Sequence, residues 1–249
     1  MKKILQILAA SIALASTSHS FPVVLYQHNG ATDPTAEAWT LGSHIGATTL
    51  GPVNDSGTAA WSIINSVAGD TGFYRAIPTP AEVSAASLGW SLKATLRVTD
   101  LDDAPGGSML CLYRDGVSSY QMHFGSTASG DAVVVLADNS SLDSTAGPRF
   151  TVPGGSIYNT FELIYSPVDG SADLFVNGVE QLSDYTGFPL SQTLLAWGDG
   201  STRDEPLVPP RNYSSANYSE VVFSIVPEPS TAVFGVVGVL GLCLRRIRK

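Results

Sequence analysis

From Trp90 to Val98 the chain alternates without a break. Trp90, Leu92, Ala94, Leu96 and Val98 are apolar, and Ser91, Lys93, Thr95 and Arg97 between them are polar. A period of two puts the first set on one face of a strand and the second on the other, which a helix cannot do. Other segments read the same way. Met109 to Tyr113 and Ser118 to Phe124 form two strands joined across Asp115-Gly116, a short hairpin signal. Ala132 to Ala137 is wholly apolar, and Phe161 to Tyr165 is expected to pair with Ala172 to Val176 across Pro167-Val168-Asp169-Gly170. Val221, Phe223 and Ile225 mark one face of a last strand. A single helix is expected, because Thr79-Pro80-Ala81-Glu82 reads as a capping box with proline in the first helical position, running to about Ser87. Many strands and one short helix predict an all-β chain folded as an antiparallel β-sandwich. Asp138 to Pro148 and Gly198 to Arg211 are long and polar, and are read as rim loops because strand-like segments flank both.

The two ends follow different rules. Lys2 and Lys3 precede the apolar stretch Ile4 to Ala15, and small polar residues end at Ser18-His19-Ser20. That order fits a secretory signal peptide, residues 1–20, with the cut expected near Ser20, at Ser20–Phe21. Near the other end, Thr231 to Leu244 carries no charge, and Arg245, Arg246, Arg248 and Lys249 follow at once. As a helix this stretch would be ~21 Å long, short of the ~30 Å hydrocarbon core, so it spans a bilayer only marginally. The basic cluster keeps its own side cytoplasmic and leaves the preceding residues outside. Between body and helix stands Val226-Pro227-Glu228-Pro229-Ser230-Thr231, whose two prolines hold the peptide extended.

Removing the ends sharpens the charge. The whole chain has 13 Lys+Arg, 22 Asp+Glu and a net charge of −9. Residues 21–226 keep Arg75, Lys93, Arg97, Arg114, Arg149, Arg203 and Arg211 against every acid but Glu228, a net −14. Such a body is a poor partner for nucleic acid or anionic lipid. Neutral glycans and calcium are compatible with it.

Two resemblances add to this reading. The Pro227-Glu228-Pro229 tripeptide, the short apolar helix and the terminal arginine cluster, in that order, resemble the PEP-CTERM sorting signal of bacterial envelope proteins. The resemblance implies recognition and cleavage by an exosortase, after export through the Sec translocon and cutting by signal peptidase. Tyr165-Ser166-Pro167-Val168-Asp169-Gly170 followed by Ala172-Asp173-Leu174-Phe175-Val176-Asn177-Gly178 resembles a hairpin of concanavalin A-like lectin/glucanase jelly rolls, laminin-G-like modules included. Trp197-Gly198-Asp199-Gly200-Ser201 and Ala216-Asn217-Tyr218 are similar to the closing part of such domains. The implied organisation is residues 1–20 signal peptide, 21–226 one concanavalin A-like jelly-roll body, and 227–249 sorting signal with its transmembrane helix.

Chemistry leaves fewer marks. Glucanases of this fold carry Glu-x-Asp-x-Glu on one strand, placing alternate carboxylates on one face. That pattern is absent, and Glu162, Glu180 and Glu220 stand alone in sequence. His28, His44 and His123 lack zinc-site spacing, and Cys111 reads as a small buried hydrophobe. Calcium is the one cofactor with chemical support, through Asp102 and Asp103 beside Gly106-Gly107, or Asp199 near Asp204 and Glu205; the competing reading is aspartates capping backbone N–H groups in turns. Trp39, Trp61, Trp90 and Trp197 are candidates for stacking on a glycan if exposed, but Trp90 is in register with the core and aromatic residues in a sandwich are more often core. The expected role is a non-enzymatic exported protein of the cell envelope, outer surface or extracellular matrix that binds glycan or exopolysaccharide, or mediates adhesion. The alternatives are a glycoside hydrolase or lyase on the same fold, and a purely structural surface protein.

Overall fold

A computed structural model describes residues 22–46, 48–65, 70–99, 109–139, 147–154, 157–200 and 215–226. The expected signal peptide, residues 1–20 with its Ser20–Phe21 cut, Asp102, Asp103, and everything from Pro227 to Lys249 lie outside the described residues. Among the described residues no helix is long and apolar enough to cross a membrane.

Two antiparallel sheets of eight strands face each other. One runs β13 (Val179–Tyr185), β12 (Ser171–Val176), β11 (Asn159–Ser166), β6 (Trp90–Val98), β16 (Ser215–Ile225), β4 (Thr58–Ile64), β3 (Thr49–Asp55), with β1 (Val23–Asn29) also on β16. The other runs β10 (Arg149–Val152), β9 (Ala132–Leu136), β8 (Ser118–Ser126), β7 (Met109–Asp115), β15 (Thr193–Asp199), β5 (Thr71–Ala76), β2 (Thr40–Ile45), with β14 (Phe188–Pro189) on β8. The helix α1 spans Pro80–Ala86, and a 3-10 turn spans Pro34–Ala36.

The alternation of β6 does what its period requires. Trp90, Leu92, Ala94, Leu96 and Val98 are buried in the core, while Lys93, Thr95 and Arg97 are partly exposed on the outer face. β16 is the long strand beside it. Its first part, Ser215 to Tyr218, pairs with β4, and its second, Glu220 to Ile225, pairs with β1. A register shift between Tyr218 and Glu220 against β6 marks the changeover.

Several local expectations are met residue by residue. Phe161 opposes Val176 and Tyr165 opposes Ala172. Thr79 caps α1, its hydroxyl accepting from the Glu82 N–H while the Glu82 carboxylate accepts from the Thr79 N–H. Asn177 and Gly178 both have positive φ, 52° and 79°, the two-residue turn whose twist matches a hairpin between β12 and β13. The β7–β8 hairpin is longer than its sequence signal, pairing out to Arg114 opposite Ser119 and turning at Gly116-Val117. Gly198 and Asp199, read as the start of a loop, are still strand.

The core between the sheets is aromatic at both ends. Toward one end His28, Trp197 and Tyr74 stack, at 4.7 and 5.0 Å between centroids, with Trp39 and Trp61 edge-on. Toward the other, Trp90 lies parallel to Tyr165 at 5.4 Å and meets Tyr113 and Tyr120 edge-on. All four tryptophans are buried, 6% exposed at most. Of the two readings of these tryptophans, core filling or stacking on a glycan, the packing supports the first, because Trp39, Trp61 and Trp197 fill space between the sheets as Trp90 does.

Candidate functional site

A cleft opens at one end of the sandwich, where α1 crosses the mouth between the sheets. The helix contributes Val83, Ala86 and Ser87, β6 contributes Trp90, the β7–β8 hairpin contributes Tyr113, Asp115 and Val117, and β11 contributes Tyr165. Its volume is about 210 Å³. Local sequence builds each wall. The capping box starts the helix at a fixed point, and Gly89, with φ +124°, turns the chain from α1 into β6. A Cβ at Gly89 would lie 2.4 Å from the Val226 carbonyl oxygen, so only glycine lets β16 leave beside it. The Val226 N–H in turn donates to Gly89 O at 3.0 Å. Trp90 opposes Tyr165 by strand pairing, which is why their rings stack.

The polar groups of the cleft are few. Asp115 Oδ1 accepts from the N–H groups of Val117 and Ser118 at 2.8 and 2.7 Å and so holds the hairpin turn. The Tyr113 hydroxyl is buried and, among the described residues, has no hydrogen-bond partner. Burial, then the charge of Asp115 and the neighbouring Tyr120, push its ionisation far above the ordinary value, so it is a protonated donor. Glu82, beside the cleft, is held below the usual carboxylate range by the backbone and hydroxyl of Thr79, and it also accepts from the Tyr26 hydroxyl at 3.1 Å.

The glutamates that stand alone in sequence do not stand alone in the sheet. Pairing places Glu180 opposite Phe175, Glu162 beside it across β11, and Lys93 next on β6. Glu162 and Glu180 therefore share one row of the outer face, two strand spacings or ~9.6 Å apart at the backbone. Glu162 accepts from the Ser91 hydroxyl, and Glu220, one step along β16, pairs with Lys93 at 2.9 Å. This row was invisible in the sequence because Glu162 and Glu180 come together only through sheet register.

Two other polar groupings are structural. Asp55 receives Arg97 at 2.6 and 2.7 Å, the Tyr158 hydroxyl at 3.0 Å and the Asn217 amide at 2.8 Å, tying β3, β6 and β16 together. Burial alone would raise its pKa, but Asn217, Tyr158 and Arg97 outweigh that and hold it below 3.8. On the outer face of the second sheet, His123 Nε2 donates to Gln121 Oε1 at 3.1 Å, and Gln121 Nε2 donates to Ser119 Oγ at 2.8 Å. All three are buried beside Leu110 and Leu112.

Of the calcium candidates only Asp199 lies within the described residues; Asp102, Asp103, Asp204 and Glu205 lie outside them. Asp199 is fully buried at the end of β15 and accepts from the Asn65 amide. Among the described residues no three His, Cys, Asp or Glu side chains gather as a metal site. Cys111 is buried, and burial raises its thiol pKa far above the ordinary range, as the sequence reading requires.

This geometry defines the class of the protein, a two-sheet antiparallel β-sandwich with a small cleft at one end. No family model and no curated protein matches the chain. Solved structures share its fold at low identity. A carbohydrate esterase from the Shiga toxin-encoding bacteriophage phi24B matches with a TM-score of 0.56 and 10% identity, over 82% of this chain and 99% of that one. Botulinum neurotoxin type C, whose cell entry depends on two ganglioside molecules, matches with 0.52 and 13%, over 87% of this chain. The binding domain of botulinum neurotoxin DC, solved with rat synaptotagmin II, matches with 0.50 and 11%, over 88%. The match spans 50% and 51% of those two toxin chains.

Proposed function

We propose that the body is a non-catalytic carbohydrate-binding or adhesion module of concanavalin A-like type, exported and then sorted at the bacterial cell envelope. The observation that carries the binding role is the end cleft. Among the described residues its lining includes aromatic rings and one carboxylate, with no second acid to divide general acid and base work. The shared fold with proteins that handle or bind carbohydrate raises the prior without assigning a ligand. For sorting, the support is the order of motif, apolar stretch and arginines in the sequence, and the position of Val226. Val23 opposes Ile225, so the chain enters and leaves the body side by side.

The test is a glycan array probed with the full chain, with and without calcium. Binding to at least one glycan is expected; no binding under either condition overturns the carbohydrate role. The Glu162–Phe175–Glu180 row is the one observation favouring a hydrolase. Turnover of any bound glycan that is lost in Glu162→Gln would establish that reading instead.

A further inference from the structure

We propose that, while its carboxyl end is still attached, the body stands on a zwitterionic lipid bilayer with the cleft end down and its aliphatic loop tips in the headgroup layer. This goes beyond carbohydrate binding and rests on the reading of Thr231 to Leu244 as a membrane anchor. Two observations meet at that end, and the first is the exit of the chain. Val226 donates to Gly89 O at the start of β6, and Val23 opposes Ile225, so the last described residue leaves the body at the cleft end. Five residue steps separate Val226 from Thr231, a reach of at most ~18 Å. The nine residues of β6 run away from this end, which puts the opposite end of the sandwich ~30 Å farther from the anchor.

The second observation is the chemistry of the tips. Hairpin turns favour Gly, Asn, Asp, Ser and Pro. At the cleft end the β7–β8 turn instead presents Val117, 74% exposed, and the β11–β12 turn presents Val168, 78% exposed. These are the two most exposed large hydrophobic side chains among the described residues, and Leu88, where α1 gives way to β6, is exposed at the same end. The corresponding turns at the opposite end are Thr127-Ala128-Ser129-Gly130, between β8 and β9, and Asn177-Gly178, between β12 and β13. Ile64, Ile157 and Val179 are exposed toward that end too, so exposure alone does not choose between the ends. The anchor does, because it holds only the cleft end within reach of the bilayer, where aliphatic tips bury their surface at the boundary of headgroups and acyl chains. Neither valine tip carries Lys or Arg, and the β11–β12 tip carries Asp169, so the fit is to zwitterionic rather than anionic lipid. Val117 also lines the cleft, whose mouth therefore faces the bilayer in the anchored state.

The test uses the full chain, expressed in a host without an exosortase and reconstituted in phosphatidylcholine vesicles. Cys243→Ser removes the cysteine of the apolar stretch, and buried Cys111 does not label. Single cysteines then carry an environment-sensitive fluorophore at exposed positions of each sheet, Val117→Cys and Val168→Cys at the cleft end, Ala128→Cys and Val179→Cys at the other. Emission from the first pair should shift to the blue and be quenched about twofold or more by a lipid spin-labelled just below the headgroups, while the second pair stays unquenched. If the chain floats with the vesicles in alkaline carbonate and all four positions behave alike, the end-on contact is wrong and the anchor reading survives. If the chain does not float, the anchor reading fails, and this assignment with it.

Discussion

Asp55 shows how one residue can be structural while carrying the marks of a functional site. It is a buried, perturbed carboxylate surrounded by Arg97, Tyr158 and Asn217, yet all its partners belong to the body and none faces a cleft. Its folded pKa lies below its ordinary value, so it stabilises the fold fully above about pH 4, and that contribution disappears as pH falls through the folded value. Asp55→Asn should lower stability by about 2–3 kcal/mol at pH 7, the lower end for breaking a buried pair because Arg97 keeps some solvent contact. It should also flatten the acid side of the pH–stability curve, measured by urea unfolding from pH 3 to 7. An unchanged acid limb would mean that other carboxylates govern acid unfolding. None of this was legible in sequence, where Asp55 sits in a turn-like Asn-Asp-Ser-Gly stretch 42 residues from Arg97.

At the scale of elements the sequence was more informative. Strand β6, the paired β11 and β12, and the capping box of α1 follow from patterns confined to ten or so neighbouring residues. Among the elements left unread, β1, β2 and β3 are mostly exposed or half-exposed, so their apolar residues keep no clean period. Gly89 belongs to this scale, because it joins α1 to β6 and gives room to β16. Gly89→Ala should cost about 1–3 kcal/mol, through a strained positive φ and a clash with the Val226 carbonyl. Thermal unfolding measures the cost. The same change should weaken glycan binding, since it moves the helix that walls the cleft. A stability equal to the parent's would show that the backbone relaxes there freely.

For the whole molecule, the first and last described strands are neighbours. Val23 pairs with Ile225 and Asn29 with Glu220, so the body closes only when its two ends meet on β16. Both ends of the body therefore point one way, beside the cleft, and the proposed sorting signal would begin where Val226 bonds to Gly89. In a host that has an exosortase, mass spectrometry of the mature protein should show loss of the residues beyond about Val226. An intact carboxyl terminus ending at Lys249 would sink the sorting proposal.

The sequence by itself determined the period of β6, the antiparallel hairpins, the cap of α1 and the acidity of the body, because each depends on residue type and near-neighbour spacing. Only the tertiary structure decided that Trp39, Trp61 and Trp197 fill the core as Trp90 does, that Glu162 and Glu180 share a row, and that Tyr113 and Asp115 meet Tyr165 at one cleft. Those outcomes depend on which strands lie side by side, and sheet register joins residues tens of positions apart that no local pattern relates. Burial of a hydroxyl without a partner is likewise a property of the packed whole, which is why Tyr113 looked like any other strand residue until the sheets were closed around it.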